Sequence, residues 1–457
     1  MQNSLFSDFD EITAKQWKQK IQYELNGADY NEVLINRTAE DINIKPFYHP
    51  SDNSDAIVLD HQGWRIAEKI YIKNESASNH SIRKALESGA DSLYLIIASD
   101  TIALETVFDQ VPLKGLQLEF QCEFLAADFI EKITRFFTNK QAKLHFHIDI
   151  IGQLASDGNW YDNQKRDFEQ LSQIQNIIRA NKDVESSIAI DAGLYQNAGA
   201  NMVQQLAYTL AHANEYLNYF KESAPNFCIR NSVSGHYFFE IAKLRAFRVL
   251  WENLIAAYNT PSRLYIHSTP SKRNKTLYDY NVNMLRTTTE YMSAILGGSD
   301  SLSFLPYDAI YHKDNEFPRR IARNQLLILR HESYFDTVKN PADGTYYIED
   351  VCRELCQKAF KLFKQIEKSG GFITQLIDHQ IQKKIKESAD KEAVKFQEKQ
   401  TVLVGTNAFE NPQDRMSENL ELYPFVKTNP RKTLIEPIIE RRLSEQNEKQ
   451  RLKTEDR

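Results

Sequence analysis

The sequence predicts an α/β fold: a (β/α)8 barrel of the TIM type, with an extended N-terminal arm and a helical C-terminal segment. Two observations carry this. From about Trp64 onward, eight short apolar runs alternate with stretches of helical periodicity, and repeated strand–helix units imply a parallel sheet. Eight such units over roughly 250 residues suit a closed barrel. A doubly wound open sheet is the competing arrangement, and the strand count favours the barrel.

Residues 1–60 form the arm. It holds one helical segment, Ile12 to Asn26, then extended chain through KPFYHPSDNSD. It has few apolar partners of its own, so it must pack on the main body or on another chain. The barrel is expected over 61–345. Its strand runs are RIAEKIYIK, SLYLIIAS, GLQLEF, KLHFHIDII, SSIAID, FCIRNSV, RLYIHS and SLSFL. Between them, Met202 to Phe220 places Val203, Leu206, Ala207, Leu210, Ala213 and Leu217 on one helical stripe. The stretch Ile229 to Leu254 runs from strand through a polar turn into a helix that carries Arg245 and Arg248 among apolar residues.

Gly297 and Gly298 mark a helix end leading to the last strand. The helix PRRIARNQLLILRHES follows, then the turn NPADGTYY, where Pro341 presets φ and Gly344 supplies a positive φ. The C-terminal segment, 346–457, opens with a long helix from about Ile348 to Lys368, ended by Gly370 and Gly371. Residues 375–400 read as one basic-acidic helix. The stretch from Arg431 to the end mixes acids and bases and reads as an exposed helix or frayed tail.

Net charge is −6 and the pI near 6.1, which disfavours nucleic acid and anionic membrane as partners. No apolar run is long enough to span a bilayer, and the polar, acidic start lacks a signal peptide. Cys122, Cys228, Cys352 and Cys356 are scattered and read as reduced core thiols of a cytoplasmic protein.

Chemistry on such a barrel belongs at the C-terminal strand ends. The polar groups there are Asp191, Tyr195, Gln196, His236, His267 and the cluster Lys272, Arg273 and Lys275. They form no nucleophile–base series at a recognisable spacing. The cluster has the charge to bind phosphate, and a solvated loop is the plainer expectation. His145, His147 and Asp149 alternate along the fourth strand and share a face. Such a pattern can hold a divalent metal, giving a metal-dependent barrel hydrolase. A polar barrel interior accounts for it as well. No GxxxxGK[ST], GxGxxG or GxSxG motif occurs.

Several segments, in order, resemble the methylmalonyl-CoA mutase family: LYQNAGANMVQQLAYTLAHANEY, FFEIAKLRAFRVLWENLI, NMLRTTTEYMSAILGGSDSL, RRIARNQLLILRHES, NPADGTYYIE and LVGTN. The opening WKQKIQYELNGADYNEVLINRTAEDINIKPFY is similar too, and in that family the corresponding chain winds along a partner subunit. Two departures shape what the resemblance implies. The family's cobalamin-binding domain follows the barrel and carries D-x-H-x-x-G. None of the 11 His here has Asp two positions before it, so no cobalamin-binding domain is expected. The strand ends also differ. GLYQNAGA stands where catalytic members have roughly GYHMQEAGA, with Leu194 about where the His that contacts the thioester would be. STPSKR, SLSFLP and NPADGTYY replace SQTSGW, SLHTNS and DPWGGSYY. LDHQGWRIAEK stands in place of a Tyr-containing segment.

The resemblance therefore implies the small, or beta, subunit of a heterodimeric methylmalonyl-CoA mutase. Such a chain keeps fold and interface and supports a catalytic large (alpha) subunit, which binds adenosylcobalamin and the acyl-CoA substrate. No catalytic, cofactor-binding or metal-ligating residue is expected on this chain, and a homodimer in isolation is compatible with it. A barrel subunit of a related acyl-CoA mutase is the other reading within the family.

Overall fold

The computed structural model describes residues 9–52, 57–59, 63–427 and 429–455. Part of the arm and the lead-in 60–62 to the first strand lie outside these. The eight runs are eight parallel strands: β1 (Arg65–Ile72), β2 (Ser92–Ile97), β3 (Gln117–Cys122), β4 (Lys143–Ile148), β5 (Val184–Asp191), β6 (Phe227–Val233), β7 (Leu264–Pro270) and β8 (Ser301–Ser303). They close into a barrel, with Ser301 of β8 in register with both Arg65 of β1 and His267 of β7. Open doubly wound order is thereby excluded.

Alternation along the strands sorts the side chains. On β1, Ile66, Ile70 and Ile72 are buried in the layer between sheet and helices, and Lys69 on the opposite face reaches the Tyr94 ring of β2. The outer layer also holds buried charges, each with a partner. Arg323 donates to both Glu68 oxygens at 2.8 and 3.0 Å. Arg248 reaches Asp300 at 2.9 Å and the Gly298 carbonyl, tying its helix, Tyr237–Tyr258, to the Gly297–Gly298 helix end. Arg245 donates to Asp343 in the NPADG turn and to the Ile57 carbonyl of the arm, both at 2.6 Å. The two arginines of this helix therefore hold neighbouring elements in place.

The arm divides into two parts. Residues 36–52 and 57–59 dock: Ile42 is buried, Tyr48 packs on Tyr347, and Met202 donates to Glu40. The helix Ala14–Glu24 is capped by a reciprocal Thr13–Gln16 box but buries no residue. Phe9, Ile12, Trp17 and Tyr23 stay exposed, Trp17 at 52%. In the described residues, no helix is long and apolar enough to cross a membrane, and Cys122, Cys228, Cys352 and Cys356 are all free thiols.

Two sequence expectations are corrected at the C-terminal end. The single helix over 375–400 is two, Phe372–Ile377 and Gln380–Gln397, broken where His379 takes a left-handed φ of 57°. Residues 431–455 are not a frayed tail. An irregular strap, 431–444, crosses the C-terminal strand ends, and the helix Glu445–Glu455 docks beyond it. Leu434 and Ile435 donate to the Gly158 carbonyl, Ile438 to Ala155, Arg441 to Asn197 and Leu443 to Arg273, at 2.8–3.1 Å. Those acceptors lie after β4, β5 and β7. Ile435 and Ile438 are buried. The charges that suggested a solvated tail are paired with the body: Arg442 meets Glu448 at 2.6 Å and donates to the Lys275 carbonyl.

Candidate functional site at the barrel mouth

The inward faces of the strands are polar and aromatic. Their centre is Glu119 on β3. Its Oε2 lies 2.9 Å from His267 Nδ1 and 3.2 Å from His147 Nε2. Its Oε1 accepts from Ser301 at 2.8 Å and from Tyr265 at 3.2 Å. Burial pushes this carboxyl up, but His267 and His147 outweigh it and hold it well below the ordinary range. His145 bonds Ser186 at 2.8 Å and stacks on Tyr265 with ring centroids 4.1 Å apart. Burial holds His145 and His147 down to about 4, against the pull of Glu119. The axis is thus filled by layered side chains, as in a packed barrel core.

Above this layer, at the C-terminal ends, Arg230 of β6 is the hub. It donates to Asp191 at 2.6 Å, to Gln121 at 2.7 Å and to the Tyr94 hydroxyl at 3.2 Å. Lys69 lies beside it, with Nζ 5.5 Å from the centre of the Tyr94 ring. Burial, then Lys272 and Arg230, bring the Lys69 amine down to about 8. From the strap, Glu440 accepts from Asn197 at 2.9 Å, and burial and Asp191 raise its carboxyl.

The residues expected from sequence separate into different places. Asp149 does not continue the face of His145 and His147. β4 ends at Ile148, and Asp149 caps the next helix through Gly152, at 2.7 Å, while meeting His212 at 2.9 Å and Tyr216 at 2.8 Å. The trio therefore does not converge. Among the described residues, no group of three or more His, Cys, Asp or Glu is placed to hold a metal ion. The solvated-loop expectation for Lys272, Arg273 and Lys275 holds only for Lys272. Arg273 pairs with Glu392 at 2.6 Å, and Lys275 is buried against both oxygens of Glu290 at 2.8 Å.

Tyr195 is buried and bonds His212 at 2.9 Å; Gln196 accepts from buried Lys243 at 3.1 Å. Leu194 is a core residue. His236 is exposed against Phe239. Glu119, Arg230 and Lys69 were not singled out in the sequence. The alternation of Gln117, Glu119 and Gln121 inside an apolar strand was the available signal for Glu119.

The architecture defines a class: a closed (β/α)8 barrel with a packed polar axis and a strap of its own chain across the strand ends. A family model described as methylmalonyl-CoA mutase matches residues 96–454, and the chain belongs to that family. It is 29% identical to the methylmalonyl-CoA mutase small subunit of Porphyromonas gingivalis over 89% of this chain and 71% of that protein. The small subunits of Propionibacterium freudenreichii subsp. shermanii and Streptomyces virginiae are 28% and 26% identical, over 80% and 82% of this chain. The chain spans 64% and 66% of those two relatives.

Proposed function

We propose that this chain is the small subunit of an adenosylcobalamin-dependent methylmalonyl-CoA mutase, which interconverts methylmalonyl-CoA and succinyl-CoA. It supports a catalytic large subunit and carries out no chemistry itself. The relatives named as small subunits support the assignment. The observation that carries the non-catalytic part is the state of the barrel mouth. The strap runs over the strand ends, and below it His145 bonds Ser186 while His147 and His267 face Glu119. The mouth does not fit the corrin cofactor, since the chain's own strap crosses the face where it would sit and is bonded to the backbone after β4, β5 and β7. The cofactor and the acyl-CoA are accordingly assigned to the partner. The exposed helix Ala14–Glu24 is the part of the arm offered to that partner. A cytoplasmic setting, with free thiols, belongs to the same proposal.

The test is co-expression of this chain with a methylmalonyl-CoA mutase large subunit, followed by native mass measurement. A one-to-one complex is expected. Two separate species under conditions where each is folded would overturn the assignment.

A further inference from the structure

We infer that Arg245 and Glu349 clamp the backbone of Ile57, fix where the N-terminal arm leaves the body, and so present the Ala14–Glu24 helix to the large subunit in a set position. The inference rests on the subunit reading above and names the residue pair that positions its interface.

The two side chains act in parallel. Arg245, on the helix Tyr237–Tyr258, donates to the Ile57 carbonyl and to Asp343, both at 2.6 Å. Glu349, on the helix Tyr346–Lys368, accepts from the Ile57 amide at 3.3 Å and from the Gly344 amide at 2.7 Å. Each charge therefore holds one backbone group of Ile57 and one group of the NPADG turn. The two charges lie 3.7 Å apart, with side chains 1% and 0% exposed. Asn340 of the same turn donates to the carbonyl of buried Leu59.

Burial shows what the pair contributes. A buried ion pair adds little net stability, because desolvation offsets the attraction, and apolar residues of similar volume are often as stable. What the pair adds is direction, since a guanidinium fork facing a carboxylate admits one path for the chain between them. The other holds on the arm are less directional. Ile42 is an apolar anchor, and apolar burial sets no orientation. Lys358 meets Asp41 at 3.6 Å, but Asp41 is 92% exposed, and such a pair holds weakly. The base of the clamp is firm, because Arg248 fastens the same helix to Gly298 and Asp300. The arm helix is tied to the stretch before the clamp: Trp17 packs on Phe47, and His49 Nε2 lies 3.2 Å from the Ile12 carbonyl.

The test uses the full chain, alone and mixed with a methylmalonyl-CoA mutase large subunit. Arg245→Met combined with Glu349→Met removes both charges at similar volume and should keep the fold. In the isolated variant, hydrogen exchange read by peptide mass spectrometry should run about tenfold or more faster over 36–52 and 57–59, the loss of two bonds to charged groups. The barrel strands should exchange as in the parent. Arg245→Lys keeps the charge and loses the fork; it should loosen the same peptides by a smaller factor, and it serves as the test if the double variant does not fold. With the large subunit, the loosened variants should associate several-fold more slowly, because the arm must be ordered first. Arm exchange equal to the parent's would overturn the clamp. Association at the parent's rate with a loosened arm would overturn its role at the interface. Failure of the parent itself to form a complex is a separate result: it would overturn the subunit reading, and with it the presentation of the helix, whatever the exchange shows.

Discussion

Glu119 and the imidazoles around it make stability depend on pH in a direction that can be worked out. An unfolded histidine takes up its proton near pH 6.5, whereas folded His145 and His147 do so only at about 4. Between those values the unfolded chain binds more protons, so stability falls as pH drops. Glu119 acts further down. Its folded value lies below its unfolded one, so its contribution is full above the unfolded value and is lost as pH falls through the folded one. Urea unfolding at pH 7 and pH 5 should show a loss of about 1–3 kcal/mol for each buried histidine, and His145→Asn with His147→Asn should flatten the dependence. Equal stability at both pH values in the parent chain would contradict this account of the axis.

At this scale the sequence showed the polar face but not what it does. His145 and His147 were visible as an alternating pair, and their shared face is real. Asp149 was not separable from them, because only the end of β4 turns it into a helix cap. Glu119 and His267 are 148 positions apart, and nothing local marks them as partners. The same holds for Arg273 with Glu392 and Lys275 with Glu290. A basic run reads as solvated when its acids are distant in sequence.

Among the elements, the strap is the one whose role was least legible, for the same reason. Its fit rests on Gly158, which adopts a φ of 86° and lies under the strap backbone. A Cβ there would meet the Ile435 carbonyl oxygen at 2.8 Å and Thr433 at 2.9 Å. Gly158→Ala should therefore strain the turn and lift the strap, by about 1–3 kcal/mol. Limited proteolysis within 431–444 is the readout. Cleavage no faster than in the parent would mean that the strap is not seated on Gly158. Arg442→Met leaves Glu448 buried without its cation, and should cost about 3–5 kcal/mol in denaturant unfolding. A loss within error of zero would show that the docked helix adds nothing to the fold.

The strands, by contrast, were legible in full. Seven are short runs with β-branched or aromatic residues, bounded by turn residues, the eighth is Ser-Leu-Ser, and each sits in the barrel where the sequence placed it. Gly344 at φ 76° and Gly370 and Gly371 at 99° and 86° confirm the turn and the helix stop read from NPADG and SGG. The missed break at His379 has a clear origin: 375–400 is continuously charged and helix-favouring, and it contains no proline or glycine to announce the change of direction.

For the whole molecule, the exposed apolar residues of the Ala14–Glu24 helix are the feature that asks for another chain. Trp17 touches Phe47 at 5.8 Å between ring centroids and otherwise faces water. Its emission should shift to the blue on complex formation, and Trp17→Ala should weaken association by about 2 kcal/mol, the loss of a buried aromatic anchor. Unchanged affinity in that variant would remove the helix from the interface.

The central claim is that this barrel supports mutase chemistry without performing it. The most direct measurement is turnover of methylmalonyl-CoA, with adenosylcobalamin supplied, by this chain alone, by the large subunit alone and by the two together. The account predicts no turnover and no cofactor binding by this chain, with activity in the complex. Turnover by the isolated chain would contradict it and would place a working centre behind the strap.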